Sequence, residues 1–252
     1  PENFEYYYQT ELDNSFSSYV VKDYLKEYTS INFGFRGKGL RCATKNLTAL
    51  NLDLELHKAR EIIVLVAATQ FSRFDLLRGH KYDSHFNFLT IWPSQPDPKN
   101  HPPGEVRLWE GYGTEVHNDT TEVIEFLMNI QEIKNWCKLY RAKLIITSAC
   151  EPRFKQEYIE HILTDRPEQF KNLYSLRKII DWDKDVWYPG GHNTFSDLLC
   201  HYEGKPHFIG SENWFVWAEK HSTEGKGYFT PCAHPSIKGN KILAEHFYNE
   251  NF

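Results

Sequence analysis

Two short runs of apolar residues constrain the fold of this chain more than any other feature. They occupy residues 61–68 (EIIVLVAA) and 143–149 (KLIITSA), and both are continuous and rich in Ile, Leu and Val. Strands that are buried on both faces of a parallel sheet have this character. Apolar residues at helical spacing precede each run, over residues 40–54 and 123–140. This alternation of helix and strand predicts an α/β fold built on a parallel sheet.

Further helices are predicted by the same spacing of apolar residues. They cover residues 15–27, 155–163 and 167–180. The helix of residues 123–140 has candidate N-terminal caps in the segment Asp119-Thr120-Thr121.

Two long stretches interrupt the alternation of helices and strands. Residues 71–118 contain a cluster of Pro and Gly and are predicted to be a long irregular excursion, and residues 181–230 have loop character with several Trp. Stretches of this length are usually functional or disordered. Because the chain shows neither an internal repeat nor a low-complexity linker, we predict a single domain over residues 1–252, with insertions at about 71–118 and 181–230.

The bulk composition argues against several classes of protein. A net charge of −5 disfavours a general nucleic-acid binder, which would show a basic stripe. The chain has no run of 18 apolar residues that could span a membrane. Its five Cys form no metal-ligand pattern, and their scatter favours free thiols in a reducing compartment. Its 12 His lack the spacing of zinc ligands, so we predict neither a metal site nor another cofactor.

The segment His234-Pro235-Ser236 leads into a terminal helical pattern. Pro235 restricts His234 to extended backbone geometry, and Ser236 can cap the helix that follows. The helix has an apolar face that would hold His234 on a fixed support; this face comprises Ile237, Ala244, Phe247 and Tyr248. The pattern suits an imidazole held at the rim of an α/β sheet.

Three segments together resemble the SGNH/GDSL hydrolases, especially the small variants found in bacteriophage genomes. They are the His-Pro-Ser block, the glycine-rich loop of residues 32–39, and the turn that runs from Thr69 to Arg73. The resemblance covers about 16–75, 119–150 and 229–248. It implies a three-layer, flavodoxin-like parallel sheet with helices on both faces.

The resemblance also implies roles for individual residues. His234 would be the general base for a serine nucleophile. The Gly37 amide would help to form the oxyanion hole, for which fixed backbone dipoles are suited. At the end of the first buried strand this chain lacks the Asn that many family members use as a second oxyanion donor, so Thr69, Gln70 or Arg73 would have to serve. Thr69 and Arg73 fit the phage-type variants and would bind substrate there.

The chain departs from the family at the nucleophile. The nearest match to the family's serine block is Pro1-Glu2-Asn3-Phe4, which places Asn3 where the serine belongs. An amide cannot serve as this nucleophile. Since the chain begins at Pro1 and its only Met is Met128, we expect that a strand and a serine-bearing turn precede Pro1. The alternative is a hydrolase fold that has lost its chemistry.

A second departure concerns the partner of His234. Pro231 stands three residues before His234, where the family usually has an Asp, and it cannot orient an imidazole. A carboxylate from elsewhere could take this role. The candidates are Asp181, Asp183, Asp185 and Asp197.

The sequence therefore predicts an SGNH-type serine esterase acting on an ester, with an acyl group on a carbohydrate as the suggested substrate. The carbohydrate assignment follows from the family and from the 17 Phe, 15 Tyr and 7 Trp, since aromatic rings can stack on sugars. The alternative is a catalytically inactive structural or binding protein on the same fold, such as a virion component. An acyltransferase would use the same serine.

The predicted partners follow from the same reasoning. We predict a small-molecule or glycan ester as substrate, no nucleic acid, no membrane and no cofactor. A homo-oligomer or another assembly partner stays open. Because no targeting signal is visible in these residues, we expect a cytoplasmic or virion-associated location.

Overall fold

The computed structural model describes ten parts of the chain. These are residues 15–31, 39–49, 59–69, 71, 74–78, 87–91, 103–164, 175–206, 227–228 and 235–252. The described residues belong to two compact units. The sheet unit takes its residues from Phe33–Ile146 and Arg153–Trp187. The helical unit takes its residues from Pro1–Asn32, Thr147–Pro152 and Tyr188–Phe252.

Seven α-helices and four β-strands form in the described part of the chain. The helices are α1 (Phe16–Tyr19), α2 (Leu40–Ala49), α3 (Pro103–Gly111), α4 (Asp119–Tyr140), α5 (Gln156–Thr164), α6 (Phe195–Glu203) and α7 (Ile237–Asn251). The strands are β1 (Ile63–Ala68), β2 (Phe74–Arg78), β3 (Asn87–Ile91) and β4 (Lys143–Ser148). Wider π-helical turns extend α1 over Val20–Tyr24 and α3 over Tyr112–Val116. None of these helices combines the length and the apolar content that crossing a bilayer requires.

The parallel sheet of the sheet unit pairs β1 with β4. The amide of Lys143 donates to the carbonyl of Ile62 at 2.8 Å. On its other side, β4 makes a parallel bridge between Ile146 and Val186, with the Trp187 amide donating to the Ile146 carbonyl at 2.8 Å. The two predicted strands and the mixed α/β class are thus confirmed, and the second half of β4 is buried as predicted, whereas four of the six β1 residues are only partly buried.

Helix α4 supplies much of the core of the sheet unit. Its buried face alternates at helical spacing, and its members include Val123, Phe126, Leu127, Ile130, Ile133, Trp136 and Cys137. These side chains pack with residues of β1, β4 and α5 in one apolar cluster. The helix is confirmed, but its cap differs from the prediction: Asn118, not residues 119–121, accepts a hydrogen bond from the Thr121 amide at 2.9 Å.

Regular structure also forms in the stretch of residues 71–118. Strands β2 and β3 pair antiparallel, with Phe74 opposite Ile91 and Arg78 opposite Asn87. Helix α3 begins at Pro103, where a missing amide proton is tolerated because the first helical turn needs no partner for it. Pro and Gly therefore interrupt this stretch without making all of it irregular.

The helical unit is organised around α7. The Ser236 hydroxyl accepts from the Gly239 amide at 3.1 Å and donates to the Gly227 carbonyl at 2.7 Å, so the predicted cap is confirmed. The Phe16 ring lies 5.5 Å from that of Phe195 and 5.6 Å from that of Phe247, which joins α1, α6 and α7. Ile237 is 55% exposed, so its place on the apolar face was wrong.

The cysteines of the described residues form no disulfide; they are Cys42, Cys137, Cys150 and Cys200. Burial, more than any nearby charge, raises the pKa of Cys137 and of Cys200 to about 12. Because the thiolate is the reactive form, these two side chains are inert core residues.

Candidate functional site

A small cleft lies at the carboxyl end of β1 in the sheet unit. It is lined by the residues that follow β1, by the first turn of α2 and by the middle of α4, namely Leu40, Arg41, Ala68, Thr69, Phe71, Glu125, Phe126 and Asn129. The enclosed space is about 20 Å³, which is room for about one water molecule. Thr69 is half-buried in it. The cleft brings a hydroxyl, a guanidinium and a carboxylate to the carboxyl end of β1.

Helix α2 is held against α4 by an ion pair. The Lys45 ammonium lies 2.7 and 2.8 Å from the two carboxylate oxygens of Glu132. One turn earlier, Arg41 lies 3.8 Å from Glu125 at the cleft itself. Both pairs are about one-third exposed, so each stabilises the fold by at most about 1 kcal/mol. Their structural effect is to fix where the first turn of α2 meets β1.

Of the residues predicted to form the site, Thr69 is the one that the structure describes. It lies in the cleft beside Leu40 and Arg41, which follow the glycine-rich loop directly in sequence. Gly37, Arg73, His234 and Asn3 lie outside the described residues, as does Pro231. The roles assigned to them stay predictions.

A buried carboxylate beside this cleft was not predicted. The side chain of Glu122, on the first turn of α4, is fully buried. It contacts the side chains of Arg153 and His117. Its Oε2 lies 2.9 Å from the guanidinium of Arg153, and its Oε1 lies 2.7 Å from Nδ1 of His117. The contact of His117 with Glu122 is an ion pair when the imidazole is protonated. We call Glu122, Arg153 and His117 the Glu122 cluster.

Aromatic rings surround the Glu122 cluster. The guanidinium of Arg153 lies 5.6 Å from the ring centroid of Phe71, which lines the cleft, and 5.9 Å from that of Tyr158. These distances fit cation–π contacts. Arg153 also lies 3.1 Å from Asp119 on the exposed side. The cluster therefore adjoins the cleft through Phe71 and is shielded from water on that side.

The surroundings of the Glu122 cluster shift the pKa values of two titratable groups, His117 and Tyr112. Burial, followed by the positive charge of Arg153, lowers the pKa of His117, while Asp119 opposes this effect. The neutral imidazole is therefore favoured near neutral pH. Burial, followed by the carboxylates of Glu122 and Glu125, raises the pKa of Tyr112 to about 12. A neutral imidazole next to a buried carboxylate can accept a proton, which is the property that general bases need.

We predict that His117 makes the stability of the protein dependent on pH. Its pKa is lower in the folded state than the ordinary value of 6.5, so the unfolded chain binds more protons between the two values. The contribution is complete above pH 6.5 and is lost as the pH falls below it. Urea unfolding of the natural protein and of His117→Gln should show this difference, and an NMR titration midpoint of His117 above 6.5 would contradict it.

The four candidate carboxylate partners of His234 differ in their surroundings. Asp185 lies 2.6 Å from the Lys134 ammonium and accepts from the Asp181 amide at 3.0 Å. Asp181 pairs with Lys184 on the surface at 3.2 Å, and Asp183 is exposed. The Lys184 hydrogen bond, more than any other effect, lowers the pKa of Asp181. These three carboxylates belong to the sheet unit, where the contacts of Asp185 and Asp181 are with residues of the same unit.

Asp197 is different because it is 8% exposed in the first turn of α6. This turn is anchored just beyond β4 in the helical unit. Ser196 donates to the Ala149 carbonyl through its amide at 3.2 Å and through its hydroxyl at 3.1 Å. The Thr194 hydroxyl caps the helix by accepting from the Asp197 amide at 2.9 Å. A buried carboxylate thus stands near the carboxyl end of a central strand.

Comparisons of the chain with protein-family models, with curated proteins and with solved structures found no match.

Proposed function

We propose that the chain is an SGNH-type serine hydrolase that acts on an ester, with an acyl group on a carbohydrate as its substrate. The observation that supports this is the meeting of Thr69 with the first turn of α2 in one cleft at the carboxyl end of β1. Ligands of parallel α/β sheets bind at the carboxyl ends of the strands. The turn after β1 and the glycine-rich loop before α2 are the two segments that the family resemblance assigns to the oxyanion site.

The proposed chemistry follows from the types of residue involved. A serine attacks the ester carbonyl, and His234 takes its proton and returns it to the leaving alcohol. The Gly37 amide and the Thr69 hydroxyl stabilise the negative charge that develops on the carbonyl oxygen, while Arg73 binds the substrate. Because Asn3 occupies the position that matches the family's serine, the nucleophile would come from outside these 252 residues.

Two finer features belong to this proposal. The parallel sheet would extend to the three-layer arrangement of the family, with helices on both faces. Among the four candidate carboxylates we propose Asp197 as the partner that orients His234. Asp197 is buried, whereas Asp185 neutralises Lys134 and Asp181 and Asp183 are solvent-facing. The proposed location is cytoplasmic or virion-associated.

Labelling by a fluorophosphonate serine probe tests this function on the natural protein. We expect His234→Ala to abolish labelling, and Asp197→Asn to slow it by about 10³–10⁴-fold, as expected for loss of the orienting carboxylate. Thr69→Ala should slow it by about 10²-fold, because one oxyanion donor is lost. Thr48→Ala is the matched control, since the Thr48 hydroxyl bonds the Lys45 carbonyl at 2.9 Å and does not line the cleft. Its labelling rate should equal that of the natural protein.

A protein that retained the fold without the chemistry is the second candidate. Asn3 and Pro231, at the positions matched to the family's serine and aspartate, favour it. Absence of labelling in the natural protein, together with an intact mass that matches the 252 residues, would support this candidate. The search would then turn to partners in an assembly such as a virion.

A further inference from the structure

Three side chains of the helical unit form a hydrogen-bonded chain from a carboxylate to a phenol. The Tyr202 hydroxyl lies 3.0 Å from Nε2 of His246, and Nδ1 of His246 lies 2.6 Å from Oε1 of Glu250. An ionised carboxylate can only accept, so Nδ1 carries the proton of the neutral imidazole. Nε2 is then the acceptor, and the Tyr202 hydroxyl donates to it. This is the order of groups that activates a hydroxyl for nucleophilic attack.

The backbone at Gly190 fixes the Glu250 carboxylate, which is one end of this hydrogen-bonded series of side chains. Its amide donates to both oxygens of Glu250, at 3.1 Å each. Gly190 has φ +56°, and a Cβ there would lie 2.9 Å from Leu198 Cδ1 and 3.1 Å from His246 Cε1. Glycine is therefore required both for the backbone conformation and for the close approach of the imidazole. The Gly190 backbone thus holds the Glu250 carboxylate and lets the His246 imidazole approach closely.

The phenol and the imidazole face an open depression. Its lining consists of Gly190, His192, Leu198, His201, Tyr202 and His246, and its volume is about 400 Å³, within the range of small-molecule sites. Tyr202 is 44% exposed, so a molecule in the depression can reach it. The rings of His192 and His201, which also line the depression, lie 5.0 Å apart, and the His201 ring lies 6.2 Å from that of Tyr202. Within the described residues, no three His, Cys, Asp or Glu side chains converge to hold a metal ion.

We propose that Tyr202 is a nucleophile that accepts an acyl group from an activated aryl ester in this depression. The phenol oxygen attacks the acyl carbon, so that a bond from carbon to the Tyr202 oxygen forms and the bond to the aryl oxygen breaks. The phenol proton passes to Nε2 of His246 and then to the leaving phenolate. Glu250 stabilises the imidazolium that exists between these two transfers. The products are an acyl-tyrosine and a free phenol.

This site uses no residue of the proposed hydrolase, so the two proposals can fail separately. The serine of a hydrolase would be blocked beforehand by a fluorophosphonate. Acyl transfer to Tyr202 would then be read from peptide mass spectrometry, which assigns the acyl group to a residue.

The test treats the natural protein with p-nitrophenyl acetate after this blocking step. Tyr188 is an internal control because it lies in the same unit and is 37% exposed. We expect Tyr202 to be acetylated about 10²-fold faster than Tyr188, which is the lower range of general-base catalysis. His246→Gln should remove this advantage, and Tyr202→Phe should abolish the modified peptide while Tyr188 reacts as before.

The His246→Gln variant separates catalysis from a purely structural effect, because it removes the proton acceptor while Tyr202 and Tyr188 both remain. Its urea unfolding curve establishes that the variant is folded. Equal rates for Tyr202 and Tyr188 in the natural protein would overturn the proposal. An unchanged ratio of the two rates in a folded His246→Gln variant would overturn it as well.

Discussion

Replacing Phe154 with alanine is expected to lower the free energy of unfolding by about 3–5 kcal/mol. Phe154 is fully buried in the core of the sheet unit, and its ring lies 5.8 Å from that of Phe126 and 5.2 Å from that of Trp182. The variant would lose the transfer energy of the ring and leave a cavity that two large aromatic neighbours cannot fill without moving. Urea unfolding measures the change directly.

The control for this substitution is Leu139→Ala on the outer face of α4. Leu139 is 72% exposed, so its truncation should change the free energy of unfolding by no more than about 0.5 kcal/mol. Phe154→Leu, which keeps most of the volume, should fall between the two. A loss below about 1 kcal/mol for Phe154→Ala would show that the aromatic packing around it is not as described.

Replacing Arg153 with methionine is expected to destabilise the protein by about 3–5 kcal/mol near neutral pH. Met has an unbranched apolar side chain, but it lacks the guanidinium that lies 2.9 Å from the buried Glu122 carboxylate and 5.6 Å from the Phe71 ring centroid. The carboxylate would then lie in the core with His117, whose neutral form the site favours. The loss should shrink as the pH falls, because protonated His117 can replace the missing charge.

The double variant Arg153→Met with Glu122→Gln separates charge from packing. It should be more stable than Arg153→Met alone, since it no longer contains an uncompensated buried charge. Equal stability of the two variants at about pH 7 would mean that Glu122 gains no stabilisation from Arg153. Urea unfolding at two pH values supplies the required measurements.

The elements that the sequence predicted are those whose signal is local. β1 and β4 are continuous apolar runs. α4 and α7 have apolar residues at helical spacing, and these residues favour the same helices in the sequence and in the packed structure. The hairpin of β2 and β3 was not predicted because residues 79–86 separate its strands, and short-turn signals do not apply to a connection of that length. Ile237 was wrongly assigned to the apolar face of α7. It is the first residue of the helix, and the buried residues of the helix begin only at Gly239.

The polar clusters could not be predicted in the same way. His117 and Glu122 are close in sequence, but Arg153 lies after β4. No sequence spacing therefore predicts that the three side chains meet. The pair of His246 and Glu250 has a local signal, since residues four apart on a helix are neighbours. Tyr202 and Gly190 belong to other elements. The sequence could therefore predict the contact of His246 with Glu250, but not the contacts of this pair with Tyr202 and Gly190.

The way in which the chain alternates between its two units has a consequence for synthesis. The chain passes between them after Asn32, Ile146, Pro152 and Trp187. A ribosome releases residues from the N-terminal side, and units fold as their residues emerge. The sheet unit possesses all its residues once Trp187 has emerged, whereas the helical unit still lacks Tyr188–Phe252. We therefore expect the nascent chain to complete the sheet unit first, while the helical unit still lacks its last segment, which includes α6 and α7.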